Sequence, residues 1–382
     1  MFNWIFRIFS LIFQFFCYIN NKFTSKIPEK PQNKQNKIQE FFEKNENKKS
    51  LQIEYYFGHE YGKKGIDELC NYIEKNNSLK EIHFNFILGE KWTKQICSSI
   101  KKNPNIEVIK FQNCHIEVEE CKYISFLLQR SKNIKKFGIE IYNLSRNDLK
   151  PLSEALKKNS FLKVLKLKND PNGSLISTDI FKNLLINDSI IELNISSNLI
   201  FPSLKKINSF NTYIEKAKNL IHLNVKNCNL TPQNMIGFLE SLKINKSIKS
   251  LNILKNDIGI EGIKNLFDIL KDKLDFESLK LSFKGKKEQN CEIIGDYLKD
   301  NLSLKNLKID RISFLSVNCQ KIFLKNLQNN FCLESFEFNS TDLFQSKIRK
   351  ILERNFHLRE FSSHFNCSKS WKKVQDVQFK FR

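Results

Sequence analysis

A large apolar residue returns along most of this chain at intervals close to 28. It stands at Leu79, Ile106, Ile134, Leu162, Ile190, Leu220, Ile248, Phe276, Leu304, Leu333 and Leu358, in steps of 27, 28, 28, 28, 30, 28, 28, 28, 29 and 25. Three and five residues after each opener come two more apolar side chains, from Ile82 and Phe84 to Phe336 and Phe338; the last unit departs, with Ser363 after Phe361. A unit this short cannot bury its own apolar face. Successive copies must stack, and the stack is a solenoid in which each unit touches only its neighbours. Length alone would divide 382 residues into two or three globular domains, but the repeat places residues 50–366 in one array.

The unit from Ser247 to Leu270 shows the local logic. Leu251 and Ile253 alternate as in a short strand with one buried face. Asn256, eight residues after the opener, sits where the chain leaves the strand, and a side-chain amide there can bond backbone groups that the turn frees. Ile263, Leu266, Phe267 and Leu270 then fall on one helical face, and Met235, Phe238, Leu239 and Leu242 repeat it one unit earlier. Helices are expected to close on Lys-Asn pairs such as Lys102-Asn103 and Lys158-Asn159, with Asn in the left-handed conformation. Strand and helix in alternation with short links require parallel strands. A degenerate first unit begins near Leu51 and ends with the helical run 66–73.

This pattern, L-x-x-L-x-L-x-x-N/C-x-L followed by a helix, resembles the leucine-rich repeat, and its 28-residue length resembles the ribonuclease-inhibitor-like subclass. Cys114, Asn198, Cys228, Asn256 and Asn366 hold the N/C turn position; Ile87, Tyr142, Asp170, Lys284, Ile312 and Thr341 replace it in other units. The resemblance implies an α/β horseshoe of about 11–12 repeats, with parallel strands on the concave wall, helices on the convex one, and a protein-binding role.

If the third and fifth positions point inward, the second, fourth and sixth face the concave surface. The candidate binding residues are therefore His83, Lys110, Lys166, Lys168, Asn194, Asn224, Lys226, Asn252, Lys280 and Lys308. Lys136 joins them, with Gly138 in the same row. Seven lysines on these rows meet six acids, Glu81, Glu140, Glu192, Asp310, Glu337 and Glu360. The formal charge of +22 thus lies chiefly on helices, loops and termini, and part of it reflects the Asn-, Lys-, Ile- and Phe-rich composition of an AT-rich genome. A concave track with almost no arginine and no aromatic row does not fit a nucleic-acid channel. Neither is it the acidic wall that capture of basic ribonucleases requires.

The ends differ from the array. Residues 1–21 are mostly large and apolar, with Arg7, Ser10 and Gln14 on one stripe, and five lysines follow by Lys37. The segment reads as a membrane anchor, spanning or in-plane. A helix capping the array, a cleaved signal peptide and a translation start set too early are the alternatives. Residues 22–49 read as a polar, Lys/Asn-rich linker, and residues 367–382 as a basic C-terminal cap or lipid-touching tail.

No phosphate loop, dinucleotide fingerprint, metalloprotease or nucleophile-elbow motif occurs, and the six histidines are scattered. Ten cysteines contain no C-x-x-C pair; Cys121, Cys291 and Cys319 occupy an apolar helix position and read as small buried hydrophobes. No metal, disulfide framework or cofactor is expected, and free thiols fit a cytoplasmic, reducing setting, with the repeats on the cytosolic side of any membrane. The expectation is a monomeric, non-catalytic scaffold gripping a protein partner. An adaptor for anionic lipid surfaces stands as the alternative from another class. A GTPase-activator-like regulator is a minor one, resembled in architecture but unsupported by the basic C-terminus.

Overall fold

The computed structural model describes residues 31–339 and 360–364, apart from 55, 86–88, 115, 142–148, 170–177, 201–203, 284–288, 311–316 and 331. Helices and strands alternate throughout. The strands are β1 (Ser50–Glu54), β2 (Glu81–Asn85), β3 (Val108–Cys114), β4 (Lys136–Ile141), β5 (Val164–Asn169), β6 (Glu192–Asn194), β7 (His222–Asn224), β8 (Ser250–Asn252), β9 (Ser278–Ser282), β10 (Asn306–Asp310), β11 (Ser335–Asn339) and β12 (Glu360–His364). The helices are α1 (Pro31–Glu43), α2 (Tyr56–Lys75), α3 (Glu90–Lys102), α4 (Val118–Arg130), α5 (Lys150–Lys158), α6 (Thr178–Leu184), α7 (Leu204–Lys216), α8 (Pro232–Ile244), α9 (Gly259–Lys271), α10 (Gln289–Asp300) and α11 (Val317–Leu327).

The twelve strands form one open sheet in which each pairs, in parallel, with the next in sequence. Register follows the repeat: Ile82 pairs with Ile109, Ile109 with Phe137, Phe137 with Leu165 and Leu165 with Leu193. All ten described openers are at most 2% exposed. So are the described third and fifth positions. The final unit keeps register despite its missing apolar residue, with Phe336 opposite Phe361 and Phe338 opposite Ser363. Helix packs on helix along the other layer. Strands sit about 4.8 Å apart and helices about 10 Å, so the sheet must take the inside of the curve.

Two asparagine ladders run between the repeats. The expected one lies at the strand exits. Asn198 Nδ2 donates to Leu167 O at 2.8 Å and Ile195 O at 2.9 Å. Asn256 Nδ2 donates to Val225 O at 2.8 Å, and its Oδ1 accepts from the amides of Cys228 and Leu230. Cys228 Sγ reaches Ile195 O at 3.1 Å, which is why a thiol can stand in the amide's place. Cys114 ends β3 beyond a shift of register. Asn366 and the six substituted turn positions lie outside the described residues.

The second ladder lies at the helix-to-strand corner, where the helices end on the expected Lys-Asn pairs but the asparagine conformation differs from the expected one. Asn103, Asn159 and Asn245 have φ of −93°, −82° and −62° with ψ above 100°, which is extended backbone rather than left-handed. Each is buried, and each donates to two carbonyls of the preceding repeat: Asn103 to Ile73 and Asn76, Asn159 to Leu128 and Ser131, Asn245 to Ile214 and Ala217. Each Oδ1 accepts from amides two or three residues on, as with Asn245 and the amides of Ser247 and Ile248. Asn187 and Asn330 donate in the same way. Left-handed backbone occurs instead just before the strand-exit ladder, at Ser197, Asn227 and Lys255.

The linker expected over 22–49 fails in its second half. Residues 31–43 form α1, whose Ile38, Phe41 and Phe42 lie at helical spacing; Phe41 and Phe42 pack on the first repeat. Ile38 is 4% exposed, the Phe42 ring stacks on Tyr72 with centres 4.7 Å apart, and Tyr72 Oη donates to Asn45 O at 2.7 Å. Among the described residues no further repeat stands on that side, so the apolar edge of the first repeat needs a cover, and α1 lies against it. Among the described residues no helix is long and apolar enough to cross a membrane. Residues 1–21 and 367–382 lie outside the described residues.

Candidate interaction site on the strand face

Exposure alternates along the strands as the repeat requires: partly exposed at second and fourth positions and buried between, as in β2, β6, β8 and β10. The ten candidate residues therefore share the sheet's outer face, nine of them on strands β2 to β10 and Lys226 just past β7. The structure separates them into groups that sequence did not distinguish.

Asn194, Asn224 and Asn252 lie side by side in register. Each uses Oδ1 to accept the backbone amide two residues on, from Ser196, Lys226 and Leu254 at 3.0–3.1 Å. These oxygens hold the turn that ends each three-residue strand, so they are committed to the fold.

Three of the lysines have cross-strand acids. Lys166 Nζ is 3.1 Å from Glu192, Lys308 Nζ is 2.6 Å from Glu337, and Lys168 pairs with Glu140. Such half-exposed pairs hold side chains in place more than they stabilise the fold. His83 contacts Glu81 at 3.3 Å. Burial lowers its affinity for a proton, and Lys110 on the next strand adds to that, against the pull of Glu81. Among the described residues, Lys110, Lys136, Lys226 and Lys280 have no carboxylate within ion-pair distance. Lys226 is held below the usual lysine range, first by burial and next by Lys255.

Two of these unpaired cations meet at a depression. Lys110 of β3, Gly138 of β4 and Lys166 of β5 are consecutive register partners, and Lys136 is two residues before Gly138. The missing side chain leaves a hollow of about 210 Å³, with Lys110, Lys136, Lys166 and Lys168 among its lining. Val108 and Val164 flank it and are only 5% and 6% exposed. The result is a small apolar floor under an uneven ring of charge, with Glu81 and Glu140 as the acids of the lining. Among the described residues no three His, Cys, Asp or Glu side chains gather as a metal site would need.

No protein-family model matches the chain. A human protein, NACHT, LRR and PYD domains-containing protein 14, is 25% identical over 188 residues, covering 49% of this chain and 17% of that protein. The chain thus matches less than a fifth of its relative's length. Among solved structures, the tropomodulin C-terminal domain of Caenorhabditis elegans aligns at 13% identity over 47% of this chain and 92% of that one, with a TM-score of 0.29. A leiomodin-1 structure containing actin-binding site 2 aligns at 16% identity over 41% of this chain and 75% of that one, with a TM-score of 0.23. The repeat pattern, the consecutive parallel sheet and the human relative together define the architecture as an α/β leucine-rich repeat solenoid.

Proposed function

We propose that the chain is a non-catalytic scaffold that holds a protein partner on its concave strand face, centred on the Gly138 hollow. The observation that carries this reading is the juxtaposition of Lys110 and Lys136, cations with no acid within ion-pair distance, beside the apolar floor of one hollow. Such a spot favours a partner surface that brings an acidic group and a small apolar side chain together. The full helix in each unit and the 28-residue step support placing the array in the ribonuclease-inhibitor-like subclass. The name of the human relative supports the repeat type and leaves the partner open.

Proximity labelling in the source cell, comparing the wild type with Lys110→Glu/Lys136→Glu, tests the proposal. Labelled proteins lost from the variant, and bound in purified form only by the wild type, are the expected result. Identical labelling by both would refute the concave site. The apolar composition of residues 1–21 supports a membrane tether for this scaffold. A chain lacking residues 1–30, which keeps α1 whole, that still fractionates with membranes would sink the tether while leaving the concave site standing.

A further inference from the structure

The helix layer carries a feature that the concave reading does not use. At the position twenty residues after the opener, α5, α6, α8, α9 and α10 display Glu154, Lys182, Glu240, Asp268 and Asp296, while Ser99 of α3 and Phe210 of α7 are buried and Leu324 of α11 is partly buried; α4 displays Phe126. Its ring is 48% exposed. Facing it, α3 presents the small side chains of Cys97 and Ser98, and the space between the two helices is a groove of about 460 Å³. Cys97 and Leu127 form its floor and are 6% and 2% exposed. Burial pushes the Cys97 thiol up to about 12, so the floor carries no charge at neutral pH.

The rim is cationic. The Arg130 guanidinium lies 4.2 Å from the centre of the Phe126 ring, Lys101 Nζ 5.7 Å from it, and Lys94 Nζ 5.7 Å from that of Tyr123. Lys122 is paired with Glu119, and Tyr123 Oη donates to Glu90 at 3.4 Å. Among the described residues, Lys94, Lys101 and Arg130 have rings but no carboxylate as partners. Phe126 therefore places exposed apolar surface beside three cations that, among the described residues, lack a counter-charge.

We propose that this convex groove is a docking site, separate from the concave wall, for an acidic segment of a protein partner. The segment seats one large apolar side chain between Cys97 and Phe126 and pairs its carboxylates with Lys94, Lys101 and Arg130. The volume suits one large anchor side chain with part of its backbone. Residues 1–21 are apolar but contain Arg7 and no acid, so their charge has the wrong sign. The apolar surface is recessed between helices, whereas a bilayer is entered by groups that protrude.

The test uses the full chain and short fluorescent peptides of Glu and Ser with one central Phe, Leu or Trp, read by anisotropy near physiological salt. At least one peptide is expected to lose about tenfold or more in affinity against Lys101→Glu/Arg130→Glu, and again when its anchor is replaced by Ser. Ser98→Trp, which fills the groove from an exposed position and leaves every charge in place, is expected to give a similar loss. Lys110→Glu/Lys136→Glu is expected to change binding by less than about twofold, which keeps this site distinct from the concave one. The proposal is overturned if no peptide distinguishes wild type from the charge-reversed variant, or if the anchorless peptide binds equally well. It is also overturned if Ser98→Trp instead abolishes sedimentation with phosphatidylserine-rich vesicles, or self-association on size exclusion, without affecting peptide binding.

Discussion

Truncating Asn245 to Ala isolates what the corner ladder contributes. The side chain is 2% exposed and makes four backbone hydrogen bonds, to Ile214 O and Ala217 O at 2.8 Å and from the amides of Ser247 and Ile248 at 2.9 and 2.8 Å. Two of these, with Ile214 and Ile248, are fully buried, while the other two lie where water can reach. Orphaning a buried backbone group costs about 1–3 kcal/mol, so two such groups set the loss at about 2–6 kcal/mol. That is a large share of an ordinary folding free energy of about 5–15 kcal/mol. Urea unfolding followed by circular dichroism reads the midpoint, and amide exchange at Ser247 and Ile248 reads the local opening. Asn245→Asp keeps the volume but turns a carboxylate oxygen toward two carbonyl oxygens. It is expected to cost at least as much at neutral pH, and part of the loss should return on acidification as the acid regains a proton to donate. Asn208, exposed on α7, serves as control, with Asn208→Ala expected within about 0.5 kcal/mol of wild type. Asn245→Ala within that same margin, or Asn245→Asp as stable as wild type at neutral pH, would refute the ladder argument.

Three other perturbations follow from the same geometry. Lys273 occupies the ladder position one repeat after Asn245 and donates to Asn245 O. Burial, and next Lys246, hold it below its ordinary 10.5, so the unfolded chain binds more protons in that interval and stability rises as pH climbs toward 10.5. Lys273→Asn is expected to raise stability by about 1 kcal/mol and to flatten the alkaline rise, both visible in melting curves across pH. Lys110→Gln removes a positive neighbour of His83, so the imidazole is expected to titrate at higher pH by NMR; an unchanged midpoint would mean that Lys110 does not sense the ring. At Gly138 an added Cβ would stand 3.6 Å from Lys110 Cγ and Lys166 Cβ, ordinary contact. Gly138→Ala should fold normally, while Gly138→Leu should fold equally well and lose concave partner binding.

The legible part of this molecule is the part set by local periodicity. Leu251 and Ile253 could be assigned to one face, and Ile263, Leu266, Phe267 and Leu270 to another, because alternation and helical spacing act within a few residues. The corner ladder left an equally regular trace, an asparagine three residues before the opener at Asn76, Asn103, Asn159, Asn187, Asn245, Asn301 and Asn330. Its place at the helix end was legible, but its extended backbone and its bonds to the preceding repeat were not, because those partners lie about 28 residues away. Composition likewise hid α1: a segment rich in Lys, Asn and Gln folds as Phe41 and Phe42 find the edge of the first repeat.

Sequence alone determined the repeat, the parallel alternation of strand and helix, and which face of each element is buried, since all three follow from the spacing of apolar side chains. Only the tertiary structure decided which charges are neutralised and where the surface is hollow. Lys166, Lys168 and Lys308 meet acids while Lys110 and Lys136 do not, because ion pairing depends on cross-strand register and side-chain reach. The hollow at Gly138 and the groove beside Phe126 exist because small residues of one repeat lie against large ones of the next, a relation set by how units stack.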